Sequence, residues 1–196
     1  MIYAYKLMDS PVGKLKLVAK GDRLSAILWE NDKPNRVRLH QMVEANDRPI
    51  LIEAERQLNE YFAGTRNQFD LALDFEGTGF QKKVWDALLT IPFGETRSYK
   101  EIAAQIGDLK AVRAVGAANG KNPLSIVAPC HRVIGASGDL TGFAGGLAAK
   151  QFLLSLESGQ TSLDMNAATG SDETQAQPAR QPSRSAKQTS LFGNGG

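Results

Sequence analysis

Cysteine is almost missing from this chain of 196 residues, because Cys130 is the only one. A single thiol excludes an intramolecular disulfide framework and leaves no second thiol to resolve a disulfide. Histidine is nearly as scarce, with only His40 and His131. These three soft ligands form no cluster of the kind a structural metal needs, so neither a metal nor another cofactor is expected. No apolar run approaches the ~20 residues that a membrane-spanning helix requires. The opening stretch Met1-Ile2-Tyr3-Ala4-Tyr5-Lys6 lacks a charged segment followed by an apolar one, so no signal peptide is expected. Together these absences predict a soluble protein of the reducing cytoplasm, with no membrane partner.

A strong charge of one sign is also lacking, since the net charge is +2. The distribution is less even than the total. Between positions 97 and 132, Arg97, Lys100, Lys110, Arg113, Lys121 and Arg132 stand against only Glu101 and Asp108. A basic segment around the one thiol suggests an anionic partner. A solvated, mildly basic face is the plainer alternative.

The pattern along the chain predicts an α+β fold in three parts. Residues 1–77 read as an N-terminal α/β domain with a small antiparallel sheet. Strand-like stretches at 2–7, 14–19 and 24–29 are separated by turns at Ser10-Pro11-Val12-Gly13 and Lys20-Gly21-Asp22. A helix follows over 49–63, with Ile52, Leu58, Tyr61 and Phe62 on its apolar face, and Gly64 stops it. Residues 78–157 read as a mostly helical domain. Its first helix, 80–89, carries Phe80, Val84, Trp85, Leu88 and Leu89. Ser98 and Glu101 make a capping box for a helix over 99–106, and another runs over 110–118. That pair resembles a helix-turn-helix. The Cys130 segment is expected to be extended. A glycine-rich loop, 135–146, precedes a last helix over 147–156. Residues 158–196 are rich in Gln, Ser, Thr, Ala and Gly and are expected to be a disordered tail.

Chemistry points to Pro129-Cys130-His131-Arg132. The thiolate is the reactive form of cysteine, and a neighbouring base or cation favours it. Neighbours on a strand face opposite ways, so His131 reaches Cys130 only if the backbone turns or a water bridges them. A small buried hydrophobe and a hydrogen-bonded structural histidine are the commoner fates of these two residue types.

The wider pattern decides between these readings. Pro129-Cys130-His131-Arg132-Val133-Ile134-Gly135 resembles the active-site signature of the bacterial-type O6-alkylguanine-DNA alkyltransferases, the methylated-DNA–protein-cysteine methyltransferase family. Also similar are Thr78-Gly79-Phe80-Gln81-Lys82-Lys83-Val84-Trp85, Ile91-Pro92-Phe93-Gly94-Glu95-Thr96-Arg97-Ser98-Tyr99, Arg113-Ala114-Val115-Gly116-Ala117-Ala118-Asn119, Asn122-Pro123, Gly145-Gly146-Leu147, Lys150 and Glu157. They cover nearly all of 78–157 in the family's order, and the first 77 residues resemble the family more weakly.

The resemblance implies stoichiometric transfer of an alkyl group from O6 of guanine in double-stranded DNA onto Cys130, by a monomer. It implies His131 as a base acting through a water and Glu157 as the group that orients it. Tyr99 would hydrogen-bond the flipped base, and Asn122 would brace the turn leading to the site. Arg113 would fill the gap in the base stack. Ala114, Ala117, Ala118 and Lys121 would belong to the DNA-contacting helix in the minor groove. Val133, Phe143 and Ala144 would line the base site. Phe143 and Ala144 stand where some relatives carry Tyr and Ser, which keeps a backbone contact but removes the hydroxyls. Other readings are a non-catalytic lesion-binding protein, a helix-turn-helix regulator and a cysteine hydrolase. The presence of Cys130, His131 and Glu157 together favours transfer. O4-alkylthymine is a further possible substrate of such a protein.

Near the end of the chain, Gln188-Thr189-Ser190-Leu191-Phe192 resembles the pentapeptide by which bacterial repair proteins bind the sliding clamp. Gln188, Leu191 and Phe192 match best. Thr189 departs from the usual Leu, and Gln160-Thr161-Ser162-Leu163 begins the same way by chance. A coil over 158–187 would reach roughly 30 Å.

Overall fold

The computed structural model describes residues 2–159. The expected tail therefore lies outside the described residues except for Ser158 and Gly159, as do Gln188, Leu191 and Phe192. Strands β1 (Tyr3–Met8), β2 (Leu15–Lys20) and β3 (Arg23–Trp29) form the expected antiparallel meander. Gly13 and Gly21 take the left-handed conformation in its two turns. A fourth strand, β4 (Met42–Glu44), was not anticipated. It pairs parallel to β1, so the sheet is mixed, with order β3-β2-β1-β4. Three residues are too few to show a two-residue period, which is why the sequence hid this strand.

Helix α1 (Pro49–Phe62) begins on a proline in its first turn and ends before Gly64, whose φ is 73°. It buries Leu51, Ala54, Leu58 and Tyr61, spaced by three and four residues, against the sheet. Ile52 was expected on this face but is 47% exposed. It sits about 100° round the helix from Leu51, which turns it to solvent. Helices α2 (Gly79–Leu89) and α3 (Tyr99–Gln105) both start with full capping boxes, Thr78 with Gln81 and Ser98 with Glu101. Helix α4 (Val112–Gly120) begins two residues later than its pattern suggests. Asp108 holds the preceding residues in a turn, taking Lys110 N on its side chain and Ala111 N on its carbonyl. Helix α5 (Gly146–Glu157) closes the described chain. None of these helices is long and apolar enough to cross a membrane.

Two apolar cores result. The first joins the sheet to α1 and α5, and the second joins α2, α3 and α4 around Trp85, Leu88, Ile102 and Val115. Trp85 fixes α2 to α4 by donating Nε1–H to the Ala118 carbonyl at 2.9 Å. The segment carrying the thiol passes between the cores. Leu124, Ile126, Val127 and Ala128 belong to the first, and Cys130 and Val133 to the second. Two short parallel strands, β5 (Arg97–Ser98) and β6 (Val133–Ile134), then set the start of α3 beside the end of that segment. Gly145 lets the loop before α5 lie on Trp29, because a Cβ there would sit 2.6 Å from the indole ring.

Candidate active site

The Cys130 segment is not extended as expected. Cys130–Arg132 form a 3-10 turn, and only Val133 and Ile134 are strand. Arg132 N donates to the Pro129 carbonyl at 3.0 Å to close it. Cys130, His131 and Arg132 are all inside, so their backbone groups need partners, and the turn supplies them locally, with Cys130 N also donating to the Ala128 carbonyl at 2.7 Å. Cys130 is 2% exposed, and its Sγ lies 3.9 Å from Ser125 Oγ. Burial raises the thiol pKa, against the Asn122 and Ser125 side chains and the charges of Arg36 and Lys150, which lower it. The resting nucleophile is therefore a thiol and needs a base.

His131 is 0% exposed. Its Nε2 pairs with Glu157 Oε1 at 2.7 Å. Among the described residues its Nδ1 is buried without a hydrogen-bond partner. Burial lowers its pKa, as do the charges of Arg132 and Lys150, and the Glu157 interaction only partly offsets them, so the ring is a neutral base. Glu157 collects donors from across the fold. Arg132 Nε reaches Oε2 at 2.8 Å and its Nη2 reaches Oε1 at 3.0 Å. Gly94 N donates to Oε2 at 3.2 Å from a turn with φ 78°, a conformation that favours glycine. Tyr61 donates its hydroxyl to Oε1 at 2.7 Å. Burial alone would raise the Glu157 pKa, but the bonds from His131 and Arg132 outweigh it and hold the carboxyl at about 2.

Asn122 donates Nδ2–H to the Ala128 carbonyl at 2.7 Å and accepts Leu124 N at 3.0 Å, spanning the loop that leads to Cys130. Ile126 within that loop has φ 76°, rare for a β-branched residue and costing on the order of 1–3 kcal/mol. The asparagine bridge and burial on both sides hold it there. Arg36, paired with both oxygens of Asp32 at 2.6 Å, also donates to the Asn122 carbonyl.

Tyr99, Arg113, Phe143 and Ala144 line a cavity of about 540 Å³, together with Lys33 and Arg36 from the first part of the chain. The Tyr99 hydroxyl bonds Thr141 Oγ1 at 2.7 Å. Tyr99 and Phe143 also pack on the cluster containing Cys130. Phe143 packs edge-on against His131 and Trp29. Val133 is buried, and its carbonyl accepts Lys150 Nζ at 2.6 Å. Lys150, wholly buried, also donates to the Thr141 carbonyl at 3.1 Å. Arg113, Ala114, Ala117 and Lys121 are exposed along or just beyond α4. Ala118 is not on that face: it is 3% exposed and packed within the helical core.

Several functional neighbours escaped the sequence. Tyr61 fits a helix-face core aromatic, and Thr141 and Lys33 lie in loops without periodicity. Arg132 and Lys150 carried a signal, each as part of a family motif, but neither was assigned a role.

Comparison with known proteins agrees along the chain. Residues 79–159 match the family described as 6-O-methylguanine DNA methyltransferase, DNA binding domain. Residues 3–75 match its ribonuclease-like domain. The chain is 50% identical over 163 residues to the methylated-DNA–protein-cysteine methyltransferase of Mycobacterium bovis, covering 82% of this chain and 96% of that protein. It is 48% identical over 155 residues to the constitutive methylated-DNA–protein-cysteine methyltransferase of Bacillus subtilis, covering 78% and 94%. Among solved structures, Mycobacterium tuberculosis OGT in complex with DNA matches with a TM-score of 0.74 and 48% identity, over 84% of this chain and 98% of that one. With both halves matched and the identity spread over most of its length, this chain belongs to the 6-O-methylguanine DNA methyltransferase family.

Proposed function

We propose that this protein repairs DNA by moving the alkyl group of an O6-alkylated guanine onto Cys130, once per molecule. The observation that carries the reading is the buried Cys130 turn beside a His131–Glu157 pair with a partnerless Nδ1, next to a cavity lined by Tyr99 and Arg113. The division of labour is between 78–157, which binds DNA and reacts, and 1–77, which supports it. The two family matches support that division.

The target atom is inaccessible inside a duplex, so the nucleotide is flipped out. Helix α4 enters the minor groove on its small exposed residues, Ala114 and Ala117. Arg113 fills the vacated place in the stack, and Lys121 meets the backbone. Affinity comes mainly from phosphate contacts, so sequence preference is slight. The cavity receives the base, with Tyr99 at its edge and the backbone of Val133 and Ala144 reading it past Phe143. Tyr99 gives up Thr141 to reach the base. A water at His131 Nδ1 passes the thiol proton to the imidazole, and Glu157 steadies the ring. The sulfur attacks the alkyl carbon, the S–C bond forms and the C–O bond breaks. Electrons of the broken bond stay on guanine, which takes a proton through Tyr99 and leaves neutral. The proton held by His131 balances that loss. The thioether has no route back, so the reaction stops at one event.

Incubation with duplex DNA containing O6-methylguanine is expected to add one methyl per molecule, on the peptide containing Cys130, and to saturate there. Intact-mass and peptide measurements check this. Tight lesion binding with no mass gain would favour a lesion-binding protein that does not react.

The Gln188, Leu191 and Phe192 motif supports recruitment to a bacterial sliding clamp, by filling a pocket on that partner. Removal of residues 188–192 is expected to abolish binding to purified clamp in a pull-down or titration. Equal affinity of both forms would end this idea.

A further inference from the structure

The first part of the chain reaches into the reacting centre. Tyr61, in the last turn of α1, is fully buried, and its hydroxyl donates to Glu157 Oε1 at 2.7 Å. The same oxygen pairs with His131 Nε2 at 2.7 Å and accepts Arg132 Nη2 at 3.0 Å. A carboxylate oxygen has two in-plane lone pairs, so three donors share them. Burial and then the Glu157 charge raise the Tyr61 hydroxyl far above its ordinary pKa, so it remains a donor at all working pH. Its ring is clamped by Phe62, Phe69 and Phe93, at centroid distances of 5.5, 5.4 and 6.2 Å. The hydroxyl is therefore held in place from outside the catalytic turn.

We propose that Tyr61 is a positioning residue for alkyl transfer, sharing Glu157 Oε1 with His131 and so limiting how strongly the carboxylate draws a proton onto the imidazole. This rests on the alkyl-transfer reading above. The groups facing His131 are few. Its own turn supplies Arg132, α5 supplies Glu157 and Lys150, and α1 supplies Tyr61 through Glu157. Arg132 and Lys150 oppose a proton on the ring, and Glu157 favours it. A donor taken from Glu157 leaves a more basic carboxylate, which stabilises imidazolium. The neutral base then requires a higher pH.

Tyr61→Phe keeps the ring packing and removes only the donor. Two readouts follow, in the full chain. The first is the titration of the histidine ring nitrogens by nuclear magnetic resonance, simple here because His40 and His131 are the only two and His40→Gln assigns them. The second is the acidic limb of the single-turnover transfer rate. Both are expected to move up by roughly half to one pH unit. Site-specific 3-fluorotyrosine at position 61, a stronger donor, is expected to move them down. Unchanged ring titration and an unchanged limb in both proteins would overturn the proposal, because a merely structural Tyr61 alters stability and not these pH values. Absence of methyl transfer by the unsubstituted protein would instead strike the alkyl-transfer reading, and the ring titration would still decide the role of Tyr61.

Discussion

Glu157→Gln is expected to destabilise the protein by about 3–5 kcal/mol, the cost of leaving one member of a buried ion pair uncompensated. Arg132 places two donors on this carboxylate, and His131, Tyr61 and Gly94 place one each. An amide offers one oxygen, and its nitrogen confronts donors where the second oxygen stood. Arg132 keeps its bond to the Ile91 carbonyl at 2.5 Å, but its charge is left buried without a counter-ion. In a thermal melt the loss corresponds to a fall of roughly 6–20 °C for a chain of this size. The pH dependence supplies a second check. Glu157 has its carboxyl lowered from 4.5 to about 2. Its contribution is therefore fully present above the unfolded value near 4.5 and is lost as pH falls through the folded value near 2. That shift is worth on the order of 3 kcal/mol. The gap between the unsubstituted protein and the Gln variant should narrow across that window. A gap of the same size at pH 7 and at the acid end would mean that Glu157 is not the charged hub described here. Loss of the orienting carboxylate should also slow transfer by ~10²–10⁴-fold.

Cys130→Ser is expected to remove transfer altogether, a loss of roughly a millionfold in rate constant, as when the nucleophile of a concerted relay is deleted. The hydroxyl binds its proton far more tightly than a thiol, and oxygen is a much weaker nucleophile than sulfur toward an alkyl carbon. The fold should tolerate the change. Sγ already lies near Ser125 Oγ, and Asn122 also acts on it, so a buried hydroxyl finds partners. Lesion binding should persist, because Arg113, Tyr99 and the face of α4 are untouched. Mass spectrometry and a lesion-binding titration on the same preparation separate the two effects. A methyl gain on the serine variant would place the acceptor elsewhere in the chain.

Much of this was legible in the sequence, for physical reasons that differ by element. The meander and the helices announced themselves by period and caps. Thr78 with Gln81 and Ser98 with Glu101 are local devices that act within one turn, so the residues and the structure agree there. The strand β4 and the late start of α4 were hidden because each depends on a partner, β1 for the strand and the Asp108 turn for the helix. Ile52 was misplaced because a single helical step separates a buried position from an exposed one.

The linear chain was enough to single out Cys130 and His131 as candidates and to order the family motifs, because a lone thiol in Cys130-His131-Arg132 and a run of spaced motifs are properties of the sequence. What surrounds them came from packing in three dimensions. It folded Cys130–Arg132 into a turn rather than a strand. It brought Tyr61, Gly94, His131 and Arg132 from separate stretches onto one carboxylate, and it turned Ala118 inward while leaving Ala114 and Ala117 outside. Those outcomes follow from long-range burial. Charges removed from water must find partners wherever the fold puts them, and no spacing rule along the chain records where that is.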